Sequence, residues 1–490
     1  MKRYATILIA LLACVAAHAL AVRVEVPGTL RDAVAEPAAV VQLTVSGTVD
    51  ASDFAFMAEE MASLAALDLS AATVAAYEGE PLQGLRSFPA ATFPQLLLAG
   101  TGLQTVILPA TLEAIGDCAL AGTRLATVVV PASVRFVGSG AFAGCTALRV
   151  ADVKAASLAD GVFAGCTALE EVSLPEGAAV GARCFAGDIA LATVDAPGIT
   201  AIGERAFAGC TALKNMDFGT KVTAVGAHAF AGSGLENADL SGCRSLAEVG
   251  RGAFAGCAEL TVLSLPADAD IADAHALAMG CPRLMAAELP SGVVPDYALA
   301  GAGSVDAGAA VAGASHIGDY ALKGAAATAE LTLSGSLEYI GDHAMEGMTG
   351  LQRIDATALA AVPELGDDVW HGVEQPSVHL VPSDEMLAAF RAADQWKDFE
   401  VRSLSSTGNV LKERDGRLRA SFSGALLLVE CTLADVESIL VADTEGRVLA
   451  TLVPDTDGRA ALDTSRLTTR IYLLATSGSC KATIKIARKF

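Results

Sequence analysis

Residues 137–145 read Val-Gly-Ser-Gly-Ala-Phe-Ala-Gly-Cys, and the chain returns to this phrase again and again. Ala-Phe-Ala-Gly-Cys recurs at Ala141–Cys145, Ala206–Cys210 and Ala253–Cys257, with variants at Val162–Cys166, Cys184–Asp188 and Ala229–Ser233. The rings fall at Phe142, Phe163, Phe185, Phe207, Phe230 and Phe254, at gaps of 21 to 24 residues. Other large apolar residues extend the column to Leu98 and Leu120 upstream and to Leu277, Leu299, Leu322 and Met345 downstream, ending near Trp370. A period in the twenties is the mark of a solenoid, in which each unit buries its apolar face only against its neighbours. The register implies twelve coils.

A second phrase, Leu-x-x-Val-x-Leu-Pro, appears at Leu103–Pro109, Leu125–Pro131 and Leu169–Pro175. Apolar residues alternating over so few positions predict a short strand, which proline then ends. Between the phrases stands Ile/Val-Gly, as at Ile115-Gly116, Val137-Gly138, Ile202-Gly203 and Ile340-Gly341. The glycine is expected to supply a turn of positive φ. Asp117, Glu204, Asp319 and Asp342 follow it and are expected to cap a short helical turn bearing the large apolar residue. The coil pattern Ile-Gly-Asp-x-Ala-Phe-x-Gly-Cys resembles the leucine-rich repeat of BspA-like bacterial surface antigens over residues 90–402. That resemblance implies a β-rich repeat solenoid of short parallel strands, turns and short helical segments.

Both ends of the array read as caps. Val41–Gly47 and Leu64–Ser70 look like strands around an amphipathic helix at Asp53–Leu64, and Met386–Phe399 spaces Phe390, Ala393, Trp396 and Phe399 as a closing helix would. After a polar stretch the chain changes to hairpin-like strands, with tight turns expected at Arg414-Asp415-Gly416, Thr444-Glu445-Gly446 and Thr456-Asp457-Gly458. Ile439–Asp443, Ile471-Tyr472-Leu473 and Ile484-Lys485-Ile486 resemble the C-terminal sorting domain of type IX secretion, although Arg470 stands two residues before Tyr472, where that family usually has glycine. The resemblance implies export to the outer-membrane surface of a Gram-negative cell, commonly with removal of the domain and attachment of the rest to surface glycolipid. At the N-terminus, Lys2 and Arg3 precede an apolar run that ends in Ala17-His18-Ala19, the pattern of a signal peptide. Leu11-Leu12-Ala13-Cys14 offers an alternative, lipidation on Cys14. The expected organisation is a signal peptide at 1–19, an N-terminal cap at 20–89, the solenoid with its closing helix at 90–402, a linker at 403–418 and a small all-β sandwich at 419–490.

A net charge of −23 argues against nucleic acid, whose affinity comes from cations neutralising phosphates. After the N-terminal run no window is long and apolar enough for a membrane helix. Cys145, Cys166, Cys210 and Cys257 share one repeat slot with Thr123, Ser233 and Ala302, so the slot is a small buried site rather than half of a disulfide. His228, His275 and His343 share a column two residues before the large apolar residue, but in separated coils, which does not suit a metal site. Signatures of nucleophile elbows, zinc proteases and phosphate loops are absent, so no catalytic residue, cofactor or metal is assigned and the chain is not expected to be an enzyme.

If the apolar residues of the strand phrase point inward, the second and fourth residues after its first Leu point out. In three successive coils these outward pairs are Thr193/Asp195, Asn215/Asp217 and Asn237/Asp239, and Asp152 and Glu288 extend the acidic column. Like charges opposed on adjacent strands repel, so their retention suggests a recognition strip for a cationic protein patch, a glycan or calcium. The competing reading is a solvated face kept acidic for solubility. The function expected is a secreted or cell-surface monomer that binds or adheres to extracellular protein or glycan of host or bacterial surfaces. The alternative is a glycan-binding accessory protein of a nutrient-uptake system, which the scarcity of Trp and Tyr disfavours.

Overall fold

The computed structural model describes residues 18–155 and 157–402, and beyond them the strand segments 411–412, 418–423, 426–431, 438–443, 448–454, 459–463, 471–477 and 480–486. The chain divides into two units: Met1–Asp355 with Leu359–Val378, and Ala356–Ala358 with His379–Phe490. The expected signal peptide falls, apart from its last residues, outside the described residues, as do the three expected hairpin turns.

The first unit is a β-solenoid. It begins with β1 (Ala19–Val24), β2 (Gln42–Val49) and β3 (Ala66–Val74), paired in parallel, with helix α1 (Ala51–Glu60) between the second and third. Asp50 caps α1 by accepting from the Ser52 amide. Asp53, almost fully buried, accepts from the amides of Gly28, Leu30 and Asp50. A hairpin of β4 (Tyr77–Leu82) and β5 (Leu85–Phe88) then leads into the regular coils. Eight successive coils each contribute a two-residue strand at the Ile/Val-Gly position, and these, from Thr92–Phe93 to Glu248–Val249, stack in parallel into one sheet. The Leu-x-x-Val strands stack on another face, from Thr127–Val130 through Val150–Val153 and Glu171–Ser173 to Thr193–Asp195.

The predicted phenylalanine column is the core. All six rings are fully buried and stack one on the next at centroid distances of 5.2 to 5.5 Å, within 12° of parallel. Their spacing is set by the strand repeat, so the aromatic ladder and the parallel sheets enforce one register.

Three local expectations are corrected. The glycine of Ile/Val-Gly does not adopt positive φ; that conformation belongs to the glycine before the Cys slot, as at Gly144 (69°), Gly165 (75°) and Gly209 (75°). The first glycine is needed because coils stack closely there. A Cβ on Gly203 would lie 2.6 Å from the Ala182 nitrogen, and one on Gly250 would lie 2.4 Å from the Ala227 nitrogen. Nor does the following Asp cap its own coil, whose ring-bearing segment is a turn rather than a helix. Its carboxylate reaches the next coil: Asp117 Oδ1 accepts from the Ser139 amide at 2.8 Å, Asp319 from Asp342 at 2.9 Å and Asp342 from Asp367 at 2.7 Å. Glu204 instead pairs with Arg205. Finally, Ala278, not Leu277, fills the ring slot. The Phe254 amide bonds the Leu277 carbonyl, which pairs Phe254 with the residue after it, and Gly280 and Cys281 then align with Gly256 and Cys257.

In the second unit, strands His379–Pro382 and Glu400–Val401 pair in parallel around a helix at Leu387–Ala392. This helix is shorter than expected. Ala393 is extended and Gln395 is left-handed at φ 58°, so the chain doubles back and Trp396 packs edge-on against Phe390 at 5.3 Å. Beyond it lie two four-stranded antiparallel sheets, one holding Leu418–Ser423 and Leu426–Cys431, the other Ile439–Asp443 and Ile471–Ser477.

Candidate recognition surface

All six residues of the expected strip, Thr193, Asp195, Asn215, Asp217, Asn237 and Asp239, are exposed, on segments whose middle residues Val194, Met216 and Ala238 turn inward. The three coils are not equivalent. Thr193–Asp195 is the last strand of one sheet and Asn237–Asp239 the first of another, while the segment between them, 215–217, joins neither ladder. The interruption coincides with a step in side-chain size. The position that ends this strand phrase is Ala196 in one coil, Phe218 in the next and Leu240 in the third. Phe218 is buried, edge-on to Phe230 at 5.6 Å.

A groove of about 370 Å³ opens at this break, lined by Asn215, Met216, Asp217, Phe218, Asn237, Asp239 and Ser241 with the backbone of Gly219 and Gly242. The structure thus brings four of the six expected residues together and leaves Thr193 and Asp195 outside. Each groove aspartate also has a local role. Asp217 Oδ1 accepts from the Gly219 amide at 2.8 Å, and Asp239 Oδ1 accepts from the Ser241 amide at 3.0 Å and its hydroxyl at 2.7 Å. The Ser241 hydroxyl and then its amide hold the Asp239 carboxyl below the usual carboxylate range. Asp68 makes the same bond to the Ser70 amide at 2.9 Å, so the aspartate at this strand position also holds the backbone that follows it.

The Cys slot is buried against the preceding coil and mostly holds small groups, with Met348 filling it, also buried, in one coil. Cys166, Cys210, Cys257 and Cys281 donate to the carbonyl of the preceding coil's ring residue or its counterpart, at 3.1 to 3.2 Å. The eight cysteines from Cys118 to Cys281 are all free. Between Cys166 and Cys210 the slot holds Asp188, which the sequence reading passed over although the column contains it. Asp188 is fully buried and neither carboxyl oxygen makes a hydrogen bond of good geometry. Burial pushes its pKa up to about 9, against a small opposing effect of the Cys166 and Gly165 amides, so it is neutral at pH 7. His275 is not in the column of His228 and His343, because Ala276 carries the left-handed φ that marks the slot. Among the described residues no three His, Cys, Asp or Glu side chains converge as a metal site, and no helix is long and apolar enough to cross a membrane.

Stacked coils with a continuous apolar ladder inside and polar strand columns outside define a leucine-rich-repeat solenoid. Residues 92–198, 178–306 and 309–372 match the BspA type leucine rich repeat region in six copies. The chain belongs to that family. Its fold is similar to that of a leucine-rich repeat protein from Bacteroides ovatus ATCC 8483, at 18% identity over 75% of this chain and 85% of that one, with a TM-score of 0.50. A leucine rich cell surface protein from Faecalibacterium prausnitzii A2-165 matches at 23% identity over 50% of this chain and 83% of that one, with a TM-score of 0.29. The pneumococcal vaccine antigen PcpA matches at 13% identity over 74% and 79%, also with a TM-score of 0.29. No curated protein matches the chain.

Proposed function

We propose that this chain is a secreted, surface-held binding protein, without catalytic activity, whose solenoid engages an extracellular protein or glycan of a host or bacterial surface. The observation that carries the reading is the groove at the interrupted ladder, where Asn215, Asp217, Asn237 and Asp239 converge on a rigid scaffold. An open groove bordered by exposed amides and carboxylates suits recognition of a polar or cationic surface, and Met216 and Phe218 add apolar contact at its floor. In the same reading residues 1–19 are removed on export, and residues 419–490 act as a type IX sorting domain.

A pull-down from host and bacterial surface material with the span 22–402 tests this. Specific capture of a surface macromolecule supports the proposal. Turnover of a substrate by the purified protein, abolished by one point substitution, would replace it with an enzymatic function.

A further inference from the structure

Two residues before the large apolar side chain of each coil, the backbone is left-handed. Glycine fills this slot at Gly140 (φ 62°), Gly161 (64°) and Gly252 (60°), and side chains as different as Cys118 (49°), Arg183 (54°), Arg205 (54°), His228 (55°) and Ala276 (58°) fill it elsewhere. In the next three coils the slot holds Tyr297 (55°), Tyr320 (55°) and His343 (53°), side chains that the left-handed region disfavours. The fold itself therefore does not require rings here. Yet the rings stack, Tyr297 on Tyr320 at 4.9 Å and 7°, and Tyr320 on His343 at 4.9 Å and 13°, with His371 edge-on to His343 at 6.3 Å. On the adjoining strand column the register sets Val293, His316, Tyr339 and Glu364 side by side, with the His316 and Tyr339 rings 6.5 Å apart. Half of the chain's six tyrosines lie in this one patch. None is in the core: Tyr297 is 41% exposed, and Tyr320, Tyr339, His316 and His343 are half-buried.

The patch is strongly acidic. Residues 291–372 carry eleven carboxylates and only two cations, Lys323 and Arg353. Both cations are already paired inside it, Lys323 with Glu346 at 3.0 Å and Arg353 with Asp355 at 3.2 Å. Burial, and then the carboxylates of Asp319, Asp342, Glu364 and Asp296, push the Tyr339 phenol above its usual range, which reports how closely the acids surround it.

We propose that coils 292–372 form a second recognition surface, independent of the groove, and that its occupant is an arginine-rich segment of a partner protein. Charge complementarity decides the sign of the occupant, since the patch has no unpaired cation to meet an anion. The stacking decides its chemistry. Rings stacked face to face cover one another and present edges and hydroxyls, which makes a poor platform for a sugar ring. The outer face of Tyr297 is the exception, because the preceding coil offers only the methyl group of Ala276. A guanidinium can lie flat on such a face while its fork reaches neighbouring carboxylates, whereas an ammonium does neither as well.

The test titrates the full-length protein with an arginine-serine repeat peptide and with its glutamine-serine counterpart, by calorimetry. The proposal expects binding of the arginine peptide alone. It expects affinity to fall at least about tenfold in a Tyr297→Gly, Tyr320→Gly, His343→Gly variant. Glycine suits the left-handed slot, so the unfolding midpoint of this variant should hold. If it does not fold, Tyr297→Ala, which copies Ala276, and the exposed pair Glu338→Gln with Glu364→Gln are read instead, each expected to weaken binding several-fold. A variant with Asn at Asp195, Asp217 and Asp239 should bind the peptide as the wild type does, which separates this surface from the groove. Absence of binding, or equal affinity in wild type and ring variants, overturns the proposal. So does a neutral oligosaccharide panel that the wild type binds and the ring variant loses while the peptide is ignored.

Discussion

Replacing Asp188 by serine exchanges a buried carboxyl for a residue that the same slot already holds, buried, at Ser233. The consequence can be worked from the titration. The carboxyl of Asp188 moves from an ordinary value of 3.8 to about 9 on folding. Below 3.8 it is protonated in both states and contributes no pH dependence. Between the two values the unfolded chain has released a proton that the folded chain still holds, so stability falls by about 1.4 kcal/mol for each pH unit. From pH 5 to pH 8 this one group removes roughly 4 kcal/mol, an upper figure because relaxation around the carboxylate lowers it. Above about 9 the loss levels off. The other carboxylates and histidines are common to both proteins, so the difference between them isolates Asp188. Urea midpoints, followed by far-ultraviolet circular dichroism across this range, should show the wild type losing stability relative to Asp188→Ser as pH rises. Parallel curves for the two proteins would refute the claim that this carboxyl is neutral and unsatisfied in the core.

Three further substitutions test the stacking. Gly203→Ala puts a Cβ 2.6 Å from the backbone of the preceding coil and should cost about 1–3 kcal/mol by thermal unfolding. Gly165→Asn, at φ 75° with open space around it, should cost less than about 1 kcal/mol. Phe185→Ala opens a gap between Phe163 and Phe207 in the ladder and should cost about 3–5 kcal/mol, read as loss of amide-exchange protection centred on coils 163–207.

The repeat was legible because its core is written in one residue type at one spacing. Phe142 to Phe254 stack as their periodicity predicts. What escaped the sequence was contact between coils, which no single coil displays. The Ile/Val-Gly glycine looks like a turn residue until the preceding coil is seen against its Cα. Asp117 looks like a cap until its carboxylate is seen on the Ser139 amide. Leu277 and Ala278 are both apolar, and only the hydrogen-bond register places Ala278 in the ring slot. The strip residues were predicted to point outward and do, because strand alternation is local. Their division by a broken ladder was not legible, since all three segments share one residue pattern and only the pairing between coils shows that 215–217 joins neither sheet. The aromatic patch was not legible: the sequence shows only that Trp and Tyr are scarce and places His343 in a column with His228, whereas the structure stacks His343 on Tyr320.

The central claim, that the polar strand face around the groove is where this protein binds, is tested most directly by one affinity measurement. A variant carrying Asp195→Asn, Asp217→Asn and Asp239→Asn removes the charges, while asparagine keeps an oxygen to accept the Gly219 and Ser241 amides, so the turns survive. Titrated against the surface macromolecule captured by residues 22–402, this variant is predicted to bind at least about tenfold more weakly than the wild type. Unchanged affinity would contradict the account and leave the acidic column as a turn-closing, solvated face.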